Sequence, residues 1–127
     1  MTDVKRVQLS QIGQIAMIVH DIERATAFYR DVLGMKYLFS AGTLAFFNCA
    51  GVRLMLTLPE GQTVQASSIL YFKVEDINAT HQHLSARNVR FEDKPHIIAR
   101  MPDHDLWMTF FRDSENNLLG LMSEVRK

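Results

Sequence analysis

One cysteine in 127 residues leaves Cys49 nothing to pair with inside the chain. An internal disulfide is excluded, and a reducing, cytoplasmic setting is the expected one. Three prolines and six glycines are too few for collagen-like or glycine-rich low-complexity sequence. Neither sign of charge is in excess, since 14 Lys and Arg stand against 14 Asp and Glu. With no basic run either, nucleic acid and anionic membrane surfaces are not expected as partners. The apolar runs fall far short of the ~20 residues a spanning helix needs, and no basic-then-apolar signal layout opens the chain. There is no CxxC, no phosphate-cradling glycine-rich loop and no nucleophile elbow. What is present is ordinary for a soluble globular domain: 47% hydrophobic and 22% charged residues, in a chain long enough for one core.

The feature that organises this chain is a strand–turn–helix unit that occurs twice. Residues 14–19 (QIAMIV) read as a strand, apolar and rich in β-branched residues from Ile15 to Val19, as a buried strand should be. Asp21 then stands where a helix N-cap is needed. Ile22, Ala25, Phe28, Tyr29 and Leu33 follow at helical spacing, and Gly34 can end the helix in the left-handed conformation. Residues 69–75 (ILYFKVE) repeat the strand, Asp76 and Ile77 repeat Asp21 and Ile22, and a helix-compatible segment runs to Arg87. Asn88 occupies the place of Gly34, and Asn is the other residue that tolerates that cap. Internal repetition of this kind sets the architecture before any single residue does.

Further strands are expected at residues 35–40, 44–48 and 52–58, and in the second half at 89–92, 107–112 and 118–122, with hairpin turns at Gly51 and at Asn116-Asn117. Residues 1–10 read as an arm with a short strand piece at 7–9, and the polar stretch 59–68 as the linker between a first module (11–60) and a second (67–126) of one domain spanning 11–126. Residues 94–105 have no partner of equal length in the first half. Their loop at 101–105 is therefore expected to carry function.

The halves together resemble the vicinal oxygen chelate superfamily, which includes glyoxalases, extradiol dioxygenases and the fosfomycin and bleomycin resistance proteins. The resemblance is carried by Val19-His20-Asp21-Ile22, Ala27-Phe28-Tyr29, Leu33-Gly34-Met35 and the late run Arg112-Asp113-Ser114-Glu115-Asn116-Asn117-Leu118-Leu119. That last run is similar to the family's Asp-Pro-Asp-Gly-Asn turn, with Ser114 for Pro and Asn116 for Gly. The resemblance implies an α+β fold of two βαβββ modules whose curved mixed sheets form a cup, and commonly a homodimer. It also implies metal-ligand positions at Gln14, about Leu54, Ile69 and Gly120. Gln14 can offer an amide oxygen. The other three offer no donor atom, and a catalytic divalent ion needs about three protein ligands. No cofactor is therefore expected, and Gln14 is the one weak metal candidate.

If the positions around Gln14, Leu54, Ile69 and Tyr71 line the cup, it is mostly apolar with a few polar points, the usual chemistry of a small-molecule pocket. The alternative is that the cup has closed and these side chains are core. Tyr71 could present its hydroxyl to a ligand or be plain core. His81 and His83, two apart on a helix, do not share a face and are poor chelators together. His104, in the asymmetric loop between Asp103 and Asp105, is the weak candidate for an acid–base group. Trp107 could supply a flat wall beside it, and His96 with His104 could make a relocated metal site. Against these stands a solvent loop anchored by its Trp.

Two functional readings follow. In the first the chain binds an apolar or aromatic small molecule without the family's metal, as a bleomycin-resistance-like module. In the second it is a lyase, isomerase or dioxygenase, with unorthodox metal ligands or with His104 as acid–base group. Whether it is an enzyme stays open at this point.

Overall fold

The computed structural model describes residues 7–59 and 68–127. Its elements run β1 (Gln14–Ile18), α1 (Ile22–Ala27), β2 (Lys36–Ala41), β3 (Leu44–Cys49), β4 (Val52–Thr57), β5 (Leu70–Lys73), α2 (Ile77–Ala86), β6 (Arg90–Phe91), β7 (His96–Arg100), β8 (His104–Arg112) and β9 (Leu118–Arg126). Two mixed sheets result, one in the order β1-β4-β3-β2 and one in the order β5-β9-β8-β6, with β7 also on β8. Each is closed by one parallel pair, β1 with β4 and β5 with β9. This is the expected α+β architecture of two βαβββ modules. The linker expected at 59–68 lies mostly outside the described residues, and Val7 and Leu9 are exposed without strand structure.

The repeated signals produce repeated geometry. Asp21 (φ −124°, ψ 96°) accepts from the Arg24 N–H, and Asp76 (φ −126°, ψ 97°) accepts from the Ala79 N–H. Each carboxylate satisfies a backbone donor that the first helical turn leaves unpaired. Gly34 (φ 71°) and Asn88 (φ 68°) leave their helices through the same left-handed turn. One difference separates the helices: α1 continues as a π-helical turn at Phe28–Val32, closed by the Leu33 N–H on the Phe28 carbonyl at 3.0 Å. The wider turn admits one extra residue and keeps Phe28, Val32 and Leu33 against the core.

A second difference corrects the reading of residues 94–105. The counterpart of β2 is β7, not the short strand β6. β7 pairs with β8 as β2 pairs with β3, and both carry an irregularity at their middle, between Tyr37 and Phe39 and between Ile97 and Ala99. Much of the stretch 94–105, expected to lack a counterpart, is this strand, and the loop expected at 101–105 narrows to Met101 to Asp103 before β8 begins at His104. The insertion on this scaffold is β6.

One hydrophobic core serves both modules. Met17, Phe47, Leu54 and Leu56 of the first sheet, Phe111, Leu119 and Leu121 of the second, and Tyr29 and Leu84 of the two helices form a single buried cluster. The sheets therefore meet through the faces that carry the helices. A polar clasp reinforces the meeting. Buried Asp113, at the β8–β9 turn, accepts the Tyr29 hydroxyl of the other module at 2.7 Å. It also accepts the Glu115 and Asn117 backbone N–H groups at 2.8 Å each and the Asn117 side-chain amide at 3.0 Å. Burial first, then the Asp113 charge, hold the Tyr29 phenol far above its ordinary range. Glu115 completes the clasp: its carboxylate accepts the His20 and Asp21 N–H groups and meets the Arg24 guanidinium.

Candidate functional site

Alternation along each strand sends every second side chain away from the shared core, and these outer faces carry the candidate site. On the first sheet the parallel register pairs Gln14 with Arg53 and Ala16 with Met55. The antiparallel register then places Phe46 beside Met55, Asn48 beside Arg53, and Phe39 beside Phe46. Gln14, Arg53, Met55, Phe46 and Phe39 thus share one surface. The Gln14 amide nitrogen lies 3.8 Å from the Met55 sulfur. Phe39 and Phe46 stack with centroids 4.6 Å apart, and the Arg53 guanidinium sits 5.7 Å from the centre of the Phe46 ring.

On the second sheet Tyr71 pairs with Gly120, and Phe110 pairs with Gly120 from the other side. A Cβ on Gly120 would lie 2.8 Å from Tyr71 Cδ2 and 3.2 Å from Phe110 Cε1. Gly120 is therefore the floor on which the Tyr71 ring rests, edge-on to Phe110 at 5.7 Å between centroids. Arg112, Met108 and Met122 lie on this same face by register.

Two of the expected lining residues are elsewhere. Leu54 is 3% exposed and belongs to the core; the outward neighbour of Gln14 on β4 is Arg53. Trp107 alternates with Leu106 and Met108 and packs against the core with Ile97 as its strand partner. It forms no wall beside His104. Ile69, just before β5, falls with Tyr71 on the outer face by alternation and is 39% exposed. His104 opens β8 on the outer face, with Nδ1 2.8 Å from an Asp103 carboxylate oxygen. That carboxylate is shared with Arg126 at 2.7 Å.

His96 pairs with Met108, four positions along β8 from His104, which at strand rise is about 13 Å. The two imidazoles do not converge on one ion. Among the described residues no three of His, Cys, Asp or Glu come together. His81 packs against Phe91 with tilted rings, centroids 4.3 Å apart, and His83 lines a different cavity, so they do not act as a pair.

Arg53, Phe46 and Phe39 escape the sequence reading for one reason. A strand's alternation gives two sets of residues, and which set shares Gln14's face depends on the β1–β4 register. A shift of one residue exchanges Leu54 for Arg53.

Residues 11–121 match the profile of the Glyoxalase/Bleomycin resistance protein/Dioxygenase superfamily. The chain belongs to this superfamily. Among curated relatives, the uncharacterized protein YraH of Bacillus subtilis is 28% identical over 126 residues, covering 85% of this chain and 94% of that protein. Metallothiol transferase FosB of Staphylococcus haemolyticus is 29% identical over 108 residues, covering 85% of this chain and 63% of FosB. Solved structures share the superfamily fold. A lactoylglutathione lyase from Agrobacterium tumefaciens superposes with TM-score 0.70 at 24% identity, over 90% of this chain and 93% of that one. An integron cassette protein from Vibrio cholerae superposes with TM-score 0.74 at 21% identity, over 93% and 98%. Of the four expected ligand positions, Gln14, Ile69 and Gly120 lie on the outer faces and Leu54 lies in the core. No helix among the described residues is long and apolar enough to cross a membrane.

Proposed function

We propose that this superfamily member is a homodimeric small-molecule binding protein. Its cup is walled by the first sheet of one copy and the second sheet of the other, and it takes a largely apolar or aromatic ligand without the superfamily's usual divalent ion. The observation that carries the reading is the chemistry of the outer faces. The position beside Gln14 is a guanidinium, and the position opposite Tyr71 is a glycine whose side-chain space the Tyr71 ring already fills. A guanidinium repels a cation, and a glycine covered by a ring offers it nothing, so these residues do not fit a divalent site of three protein ligands.

The second copy enters because both sheets spend their helix-bearing faces on the shared core, so the outer faces point away from one another within a chain. Each face remains a half-wall carrying exposed aromatic and aliphatic groups, among them Phe39 at 47% and Tyr71 at 45%. Surfaces of that kind mark association or ligand sites, and a two-fold pair joins first sheet to second sheet twice. A reducing, cytoplasmic setting suits the free Cys49.

Thermal unfolding with and without chelator, run beside sedimentation, tests the proposal. A dimer whose melting temperature ignores EDTA is expected. A stable monomer, or a chelator-sensitive melt with stoichiometric metal in the purified protein, would overturn it. The second reading, a lyase, isomerase or dioxygenase using His104 as acid–base group, draws on the 2.8 Å contact of His104 with Asp103. Turnover lost in His104→Ala would favour it.

A further inference from the structure

The outer face of the first sheet is charged in one direction. By register it carries Gln14, Ala16 and Ile18 from β1, Arg53, Met55 and Thr57 from β4, and the alternate residues of β3 and β2 out to Lys36. Its two charges, Arg53 and Lys36, are both positive, and none of its residues is acidic, in a chain whose formal net charge is zero. Several cations elsewhere are matched, Arg24 with Glu115, Lys73 with Glu124, Arg112 with Glu92 and Arg126 with Asp103. Among the described residues no ion pair involves Arg53. Its guanidinium lies instead over the Phe46 ring, beside Gln14 on the next strand.

We infer that Arg53 is an anion-recognition residue, and that the ligand of the cup is a flat aromatic molecule bearing a carboxylate, sulfonate or phosphonate. The inference rests on the proposal that the outer faces form a binding cup. A guanidinium stacked on an aromatic face keeps its planar fork of donors free at the edge, the geometry that takes two oxygens of an anion at once. The Gln14 amide supplies a further N–H from the adjacent strand. The exposed Phe39 ring, backed by the buried Phe46 on which it stacks, offers the flat apolar surface against which the rest of such a ligand lies.

Two fluorescent naphthalene dyes test this with full-length protein: anilinonaphthalene sulfonate, and the neutral phenyl-naphthylamine with the same rings. The sulfonate is expected to bind roughly ten-fold or more tightly than the neutral dye at low salt. Arg53→Gln should remove that preference and leave the neutral dye unchanged, and Arg53→Lys should restore part of it. Because Arg53 is exposed, both variants are expected to melt with the wild type. Arg87→Gln serves as the control, since Arg87 lines a separate cavity of about 460 Å³ between the modules together with Asp31 and Leu84. Equal affinity for the two dyes, or a preference lost in Arg87→Gln and kept in Arg53→Gln, would refute the role of Arg53 and leave the cup standing. Failure of both dyes to bind the dimer would remove the anion site and the cup together.

Discussion

Replacing Tyr29 by Phe deletes one oxygen and nothing else, because the ring is fully buried and Phe keeps its shape. That oxygen donates to Asp113 at 2.7 Å across the meeting of the two modules. Asp113 is itself 2% exposed, so water cannot replace the lost donor. A hydrogen bond to a buried charged group contributes about 1.5–3 kcal/mol. Three donors remain on Asp113, two backbone N–H groups and the Asn117 amide, and they hold the loss near the middle of that range. For a domain of this length each kcal/mol moves the melting temperature by about 4 °C, so a fall of roughly 9 °C is expected.

Circular dichroism melts and urea titrations of wild type, Tyr29→Phe, Asp113→Asn and the double variant supply the check. The two single effects should not add, since each breaks the same contact. Arg30→Gln is the comparison: its pair with Asp31 at 2.8 Å is exposed on both sides, where water screens the charges, so the melting temperature is expected to stay close to that of the wild type. A shift below about 2 °C in Tyr29→Phe would mean that the Tyr29–Asp113 contact carries no weight in joining the modules.

Glu115→Gln should be acid-dependent. Burial opposes ionisation of Glu115, but the Arg24 guanidinium and the His20 and Asp21 N–H groups prevail and hold its carboxyl below the ordinary glutamate range. Its contribution is therefore complete above about pH 4.3 and is lost as pH falls through the lowered value. The variant should melt below wild type at neutral pH, and the two should converge under more acid conditions. Gly120→Ala forces the Tyr71 ring off its floor; that ring is partly exposed and can swing outward, so a loss near 1 kcal/mol is expected, with weaker dye binding, and unchanged binding would show that Tyr71 is no part of the cup. Gly34→Ala and Asn88→Ala should each cost about 1 kcal/mol because both positions need a left-handed backbone, whereas Asn88→Gly should be nearly neutral by urea titration.

The duplicated plan of this protein was legible from its residues because its signals are local. Asp21 and Asp76 cap whatever helix follows them, and Gly34 and Asn88 turn left-handed for reasons contained in one or two residues. The apolar spacing of Ile22, Ala25 and Tyr29 marks a buried face without reference to any partner. The faces of the strands are another matter. β4 runs Val52-Arg53-Leu54-Met55-Leu56, so its own charge turns Arg53 outward, but only hydrogen bonding to β1 sets Arg53 rather than Leu54 beside Gln14. The same dependence on pairing put Trp107 on the core face and brought β7 into the place of β2. The back-to-back meeting of the sheets belongs to the same class, since it depends on the burial of two distant apolar surfaces against each other. Alternation is a property of one strand, whereas register and face belong to pairs, and a pair exists only once the chain has folded.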